Sequence, residues 1–210
     1  MTHTRSLPVF VVVSLALFFF LAGCMSRKYV EKGTFVLDVS RNGAASPSDS
    51  TAILRVRTLR VSPRYEGKSF VYRTSDLGYE SDYYNEFFSP PDTMMTEEVR
   101  DWLQGSGLFG EVVDYTGQLE HTHVLEGEVI DLYGDYSERG GARSKAVLGV
   151  EFRFIQEIDA ESKLIFQRRY RKAIPVASTA PDVLVQGWND ALRKILTELE
   201  ADLRETPVSG

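Results

Sequence analysis

The chain has 210 residues, 43% of them hydrophobic, with 24 basic and 30 acidic side chains and a formal net charge of −6. This length and composition suit one globular domain of ordinary size plus a targeting segment. So acidic a balance argues against nucleic-acid binding, because phosphate contacts need clustered Lys and Arg, and a lone cysteine excludes an internal disulfide.

The N-terminus reads as a secretory signal. Arg5 supplies a positive start, Val9 to Leu21 form an apolar run, and the small residues Ala22 and Gly23 precede Cys24. A membrane-spanning helix needs about 20 apolar residues, more than this run contains. The competing reading is an uncleaved N-terminal anchor. Leu21-Ala22-Gly23-Cys24 resembles the lipobox of bacterial lipoproteins, and it stands directly after the apolar run. The resemblance implies cleavage between Gly23 and Cys24, a diacylglyceryl thioether on the Cys24 sulfur and acylation of the new amino terminus. Each buried methylene contributes about 0.8 kcal/mol, so two or three chains hold a protein firmly where one does not. Loss of residues 1–23 would remove only Arg5 among the charged side chains, leaving 23 basic against 30 acidic residues. Met25 follows the cysteine, in place of the aspartate that typically retains lipoproteins at the inner membrane. The expected location is therefore the periplasmic face of the outer membrane.

The expected division is a signal peptide over 1–23, a lipidated tether over 24–33, a domain over 34–205 and a tail over 206–210. A first strand is expected over 34–39, then a loop over 40–50 rich in Ser, Asn, Gly, Pro and Ala. Residues 51–61 alternate, with Ala52, Leu54 and Val56 on one face. The apolar phase then slips to Leu59 and Val61, which predicts a bulge near Thr58. A turn over 63–68 leads to a strand over 69–73, read as the second arm of a hairpin. Residues 78–88 carry Tyr79, Tyr83, Tyr84, Phe87 and Phe88 among acids.

A helix over about 90–104 is predicted after Ser89 as N-cap, with Met94, Met95, Val99, Trp102 and Leu103 on one side, ended by Gly105-Ser106-Gly107. Strands follow over 109–115 and 124–133, then a loop over 134–142. The clearest alternation runs from Ala146 through Leu148, Val150, Phe152 and Phe154, and it returns as a long hairpin over 164–174. Ala180-Pro181-Asp182 opens a second helix of about 22 residues. Its stripe is Val183, Leu184, Trp188, Ala191, Leu192, Ile195, Leu199 and Leu203. Strands, helix, strands, helix, with prominent hairpins, predict an α+β two-layer sandwich. Its sheet would be mostly antiparallel, with two amphipathic helices on one face.

Chemistry-bearing patterns are few. His121-Thr122-His123 would place two rings on one strand face, a geometry that needs further ligands to bind a metal; a polar strand entry is the plainer reading. No nucleophile elbow, phosphate loop or dinucleotide fingerprint occurs, so neither an enzyme nor a cofactor or metal is expected. Gln167 to Lys172 is a basic island, with Arg169 and Arg171 on one strand face and Arg168 and Lys172 on the other. It reads as a charged edge strand or as a site for an acidic partner. The aromatics at 79–88 read as core packing or as an interface. The candidate partner-facing residues are Tyr79, Tyr83, Tyr84, Arg169 and Arg171.

Leu59-Arg60-Val61-Ser62-Pro63-Arg64-Tyr65, followed by Phe70-Val71-Tyr72-Arg73, is similar to a feature of the ABC-type transport auxiliary lipoproteins: an apolar strand ending near a proline, then a strand ending in Tyr-Arg. The series continues through Tyr83-Tyr84-Asn85-Glu86-Phe87-Phe88-Ser89-Pro90-Pro91, Trp102-Leu103, Ser106-Gly107-Leu108-Phe109 and Val112-Val113. It ends with Leu125-Glu126-Gly127-Glu128-Val129, which resembles the family's Leu-x-Gly strand, and with the terminal helix. The resemblance spans about 34–203. It departs where many relatives carry a Trp before the first helix, here Phe87 or Phe88, and in the polar, Gly-rich loop 134–143. It implies a two-layer α/β fold and a non-catalytic accessory of a lipid transport system. Its implied partners are an MCE-domain protein, ABC transporter subunits and the membrane, the last through the lipids on Cys24. Ring-forming self-association would suit such a partner's symmetry. The alternative is a structural or assembly lipoprotein of another outer-membrane machine, for secretion or lipopolysaccharide insertion.

Overall fold

The computed structural model describes residues 31–43, 48, 50–114, 120–138, 143–158 and 161–206. The signal region, with Gly23 and Cys24, lies outside the described residues. In chain order the elements are β1 (Gly33–Phe35), β2 (Ile53–Val56), β3 (Arg60–Val61), β4 (Ser69–Arg73), β5 (Tyr79–Phe87), α1 (Pro91–Ser106), β6 (Glu111–Val113), β7 (His123–Asp135), β8 (Lys145–Ile158), β9 (Glu161–Pro175) and α2 (Pro181–Arg204).

The long alternating segments make the frame. β7, β8 and β9 form an antiparallel meander, β8 pairing with both neighbours. Against the other side of β7, three short strands run end to end and parallel to it: β2 beside Leu125, β3 beside Val129 and β4 beside Gly134. β6 extends this layer beside β2, and β5 and then β1 extend it beside β4. The sheet is mixed, with five parallel pairings among eight and the longest ladders antiparallel.

This arrangement corrects the expected hairpin. β4 does not fold back on residues 51–61; it continues in their direction along β7 and makes its hairpin with β5 instead. The slip near Thr58 becomes an interruption between β2 and β3. Arg57 N–H still donates to the Leu125 carbonyl, but Leu59 N–H turns away to Thr96 Oγ1 on α1. Leu59 is thereby buried over Gly127, where an added Cβ would lie 2.8 Å from Leu59 Cγ. The first strand is shorter than expected because side chains capture its continuation: Asp38 N–H donates to Asn189 and Val39 N–H to Glu98.

α1 starts one residue later than predicted, with Pro91 in its first turn and no side-chain cap from Ser89. It ends on Gly107 at φ 70°, a left-handed residue that glycine adopts without strain. α2 runs 24 residues, and all of its expected stripe is buried except the half-buried Val183. α2 lies on β8 and β9, while α1 touches β2, β3, β6 and α2. Leu148, Val150, Phe152 and Phe154 of β8 share one apolar core with Met95, Val99 and Leu103 of α1 and Trp188, Leu192 and Ile195 of α2. Phe70 lies 5.0 Å from Trp188 and 4.7 Å from Phe87, ring centre to ring centre.

Candidate interaction surface

The five candidate partner-facing residues separate into two places. Tyr83 and Tyr84 sit on the β1–β5 edge, and Tyr79, Arg169 and Arg171 belong to the sheet around β7 to β9. The split follows from a break in β5. Its register against β4 shifts between the Ser69–Glu86 and Val71–Ser81 pairs, so residues 82–85 loop out while Asn85 remains opposite Gly33 of β1. Asp82 closes the loop from inside. Its carboxylate accepts from Tyr84 N–H at 2.7 Å, Asn85 N–H at 3.1 Å, Asn85 Nδ2 at 2.8 Å and the Tyr72 hydroxyl at 2.5 Å. Burial by itself would raise the Asp82 pKa, but these donors outweigh it and hold the carboxyl below its ordinary value.

The loop presents rings to solvent. Tyr83 is 73% exposed and Tyr84 46%, their rings meeting edge to face at 5.2 Å. Lys32 Nζ lies 5.1 Å over the Tyr83 ring and 3.4 Å from Glu86. Phe88 N–H donates to the Phe35 carbonyl, which brings exposed Phe88 beside exposed Val36. Phe87, between Glu86 and Phe88, points the other way into the core. The aromatic segment thus divides between packing and display.

Tyr79 stands over Tyr133 of β7, ring centres 5.7 Å apart, and Tyr65 stacks on the same ring at 6.1 Å. The Arg64 guanidinium caps Tyr79 at 4.7 Å. Arg171 donates to the Tyr133 hydroxyl at 3.0 Å and to Asp131 at 2.9 Å, so it joins this cluster. Arg169 is beside it on the same face, paired with Glu151 at 3.0 Å. The other two basic residues reach α2, Arg168 to Asp202 and Lys172 to Glu198. The two-sided pattern read from the sequence is therefore present, with a carboxylate beside each of these four cations.

His121 and His123 do not share a face. His121 lies before β7 and meets Glu157 at 2.9 Å, while His123 is buried flat against Phe154 at 5.1 Å. Burial lowers the His123 pKa. Among the described residues no cluster of three or more His, Cys, Asp or Glu could hold a metal ion.

One polar centre was not legible in the sequence. Glu200 of α2, almost wholly buried, accepts from Arg41 through Nε at 2.9 Å and Nη2 at 2.8 Å, from Arg204 at 2.7 Å and from the Trp102 indole at 2.9 Å. These donors, Arg41 first, hold its pKa down to about 2. The centre ties the loop after β1 to both helices. Glu200 falls next to the apolar stripe; Arg204 is one helical turn on, but Trp102 and Arg41 are 98 and 159 residues away.

No family model and no curated protein matches the sequence. Solved structures do. A Xanthomonas campestris protein of the family model DUF330 superposes with a TM-score of 0.66 at 18% identity, over 79% of this chain and 91% of that one. The chain shares that fold. An uncharacterized protein superposes at 0.62 and 16% identity, over 82% of this chain and 99% of its own. A hypothetical protein of Chlamydia trachomatis superposes at 0.51 and 11% identity, over 75% and 100%. At these identities the likeness is one of architecture.

Proposed function

We propose that this chain is a lipoprotein of the cell envelope, held by acyl chains on Cys24 at the periplasmic face of the outer membrane. There it acts as a non-catalytic accessory of an MCE- and ABC-type intermembrane lipid transport system. The carrying observation is Leu21-Ala22-Gly23-Cys24 directly after twelve residues from Val9 to Phe20, all apolar except Ser14. Anchoring needs no helix across the bilayer, and among the described residues no helix is long and apolar enough to cross one. The transport role is supported by the ordered series from Leu59 to Val129 and by the fold shared with the DUF330 protein.

Two measurements on intact cells test the two parts. Fractionation is expected to place the wild-type chain in the outer membrane, and Cys24→Ala is expected to lose acylation and that location. Purification of the acylated protein from detergent-solubilised envelopes is expected to bring an MCE-domain subunit with it. Repeated recovery of the acylated protein without such a subunit contradicts the transport role and leaves the anchor standing.

A further inference from the structure

The exposed aromatic edge lies where the anchored end of the chain enters the fold. Gly33 opens β1, and β1 pairs with β5 through Gly33–Asn85, Thr34–Glu86 and Phe35–Phe87. Nine residues, 24–32, separate the acyl site from Gly33. At no more than 3.3–3.6 Å per residue they reach at most about 30 Å. A domain tied to a leaflet through Cys24 therefore keeps the β1–β5 edge within that distance of it, while β9 stands at the other side of the sheet order.

Exposed apolar side chains concentrate on the same edge. Six large hydrophobic residues are exposed among those described, and four of them, Val36, Tyr83, Tyr84 and Phe88, are here. Rings with a polar tip suit the headgroup level of a bilayer, where the ring leaves water and the hydroxyl stays wet. Phe88 and Val36 supply purely apolar area, and the Lys32 ammonium adds a cation next to Tyr83. The fold maintains this display through four hydrogen bonds to Asp82, so the tyrosines are held outward by structure and not left over from packing.

We propose that the β1–β5 edge, through Tyr83, Tyr84, Phe88 and Val36, rests on the interfacial layer of the bilayer that holds the Cys24 lipids. This rests on the acyl-anchor reading above. It fixes the orientation of the domain: edge down, with the β8–β9 hairpin carried away from the lipid. The acyl chains hold the protein at the membrane, and this shallow second contact sets its orientation there.

The test uses the mature acylated protein on vesicles of phosphatidylethanolamine and phosphatidylglycerol. Cys24 is the only cysteine, and acylation blocks its sulfur, so an introduced cysteine takes a fluorescent label alone. Tyr83→Cys and Phe88→Cys carry an environment-sensitive dye at the edge, and Lys163→Cys carries it on exposed β9. Flotation with the vesicles reads the anchor; quenching by spin-labelled lipid reads the docking. The expected result is flotation of all three, a blue shift with loss of most emission at positions 83 and 88, and little change at 163. Flotation with the edge labels unquenched, or with all three quenched alike, overturns the docking and leaves the anchor intact. Absence of flotation, or labelling of the unsubstituted protein at Cys24, overturns the anchor and this orientation with it.

Discussion

Asp82 accepts four hydrogen bonds in the loop that carries Tyr83 and Tyr84, and three of its four donors come from residues 84 and 85. Asp82→Ala strands the Tyr72 hydroxyl and frees residues 82–85. It is expected to lower stability by about 1–3 kcal/mol in urea unfolding, the cost of unmade hydrogen bonds to a charged acceptor. Glu200 makes the larger claim on pH. Its folded pKa of about 2 lies below the ordinary value of 4.5, so its contribution is full above about 4.5 and is lost as pH falls toward 2. His123 acts in the same direction at a higher pH, because its lowered pKa makes protonation cost stability as pH drops below its ordinary value. Unfolding midpoints measured from neutral pH into acid are expected to fall in the wild type, and Glu200→Gln is expected to flatten the lower part of that fall. An unchanged acid limb in the variant would remove Glu200 from the explanation.

Both helices were legible to within a few residues, because a 3.6-residue stripe and the prolines at their starts are local signals. The β8–β9 hairpin was legible for the same reason, its alternation running from Ala146 to Phe154 before the register shifts at Ile155. β2, β3 and β4 were found as apolar pieces, but their common alignment was not. The template that lines them up is β7, some 60 to 70 residues later, and no local pattern encodes parallel pairing at that range. Likewise β1 does not continue to Val39 because Asn189 and Glu98 take the Asp38 and Val39 amides, which the apolar Leu37 and Val39 do not announce. Gly127 tests the alignment. A Cβ there would lie 2.8 Å from Leu59 and 3.0 Å from Phe152, so Gly127→Ala pushes the gap between β2 and β3 off the sheet. A loss of about 1–3 kcal/mol is expected, the usual cost of overpacking, and a neutral result would show that Leu59 does not close on the strand as described.

For the molecule as a whole, the aromatic segment shows how much of the surface a sequence can carry. Density of Tyr and Phe over 79–88 marked the region, yet which rings enter the core and which face solvent was decided by one bulge in β5. The basic island was resolved by partners on other elements, Asp202 and Glu198 on one side and Glu151 and Asp131 on the other. The location of the domain depends on residues outside this fold, on Cys24 above all. The most direct test is the intact mass of the mature polypeptide extracted from membranes. A chain beginning at Cys24 and heavier by a diacylglyceryl group and an amide-linked acyl chain is the expected result. A free sulfur at position 24, or a retained leader, would contradict the anchor and the membrane-resting orientation built on it.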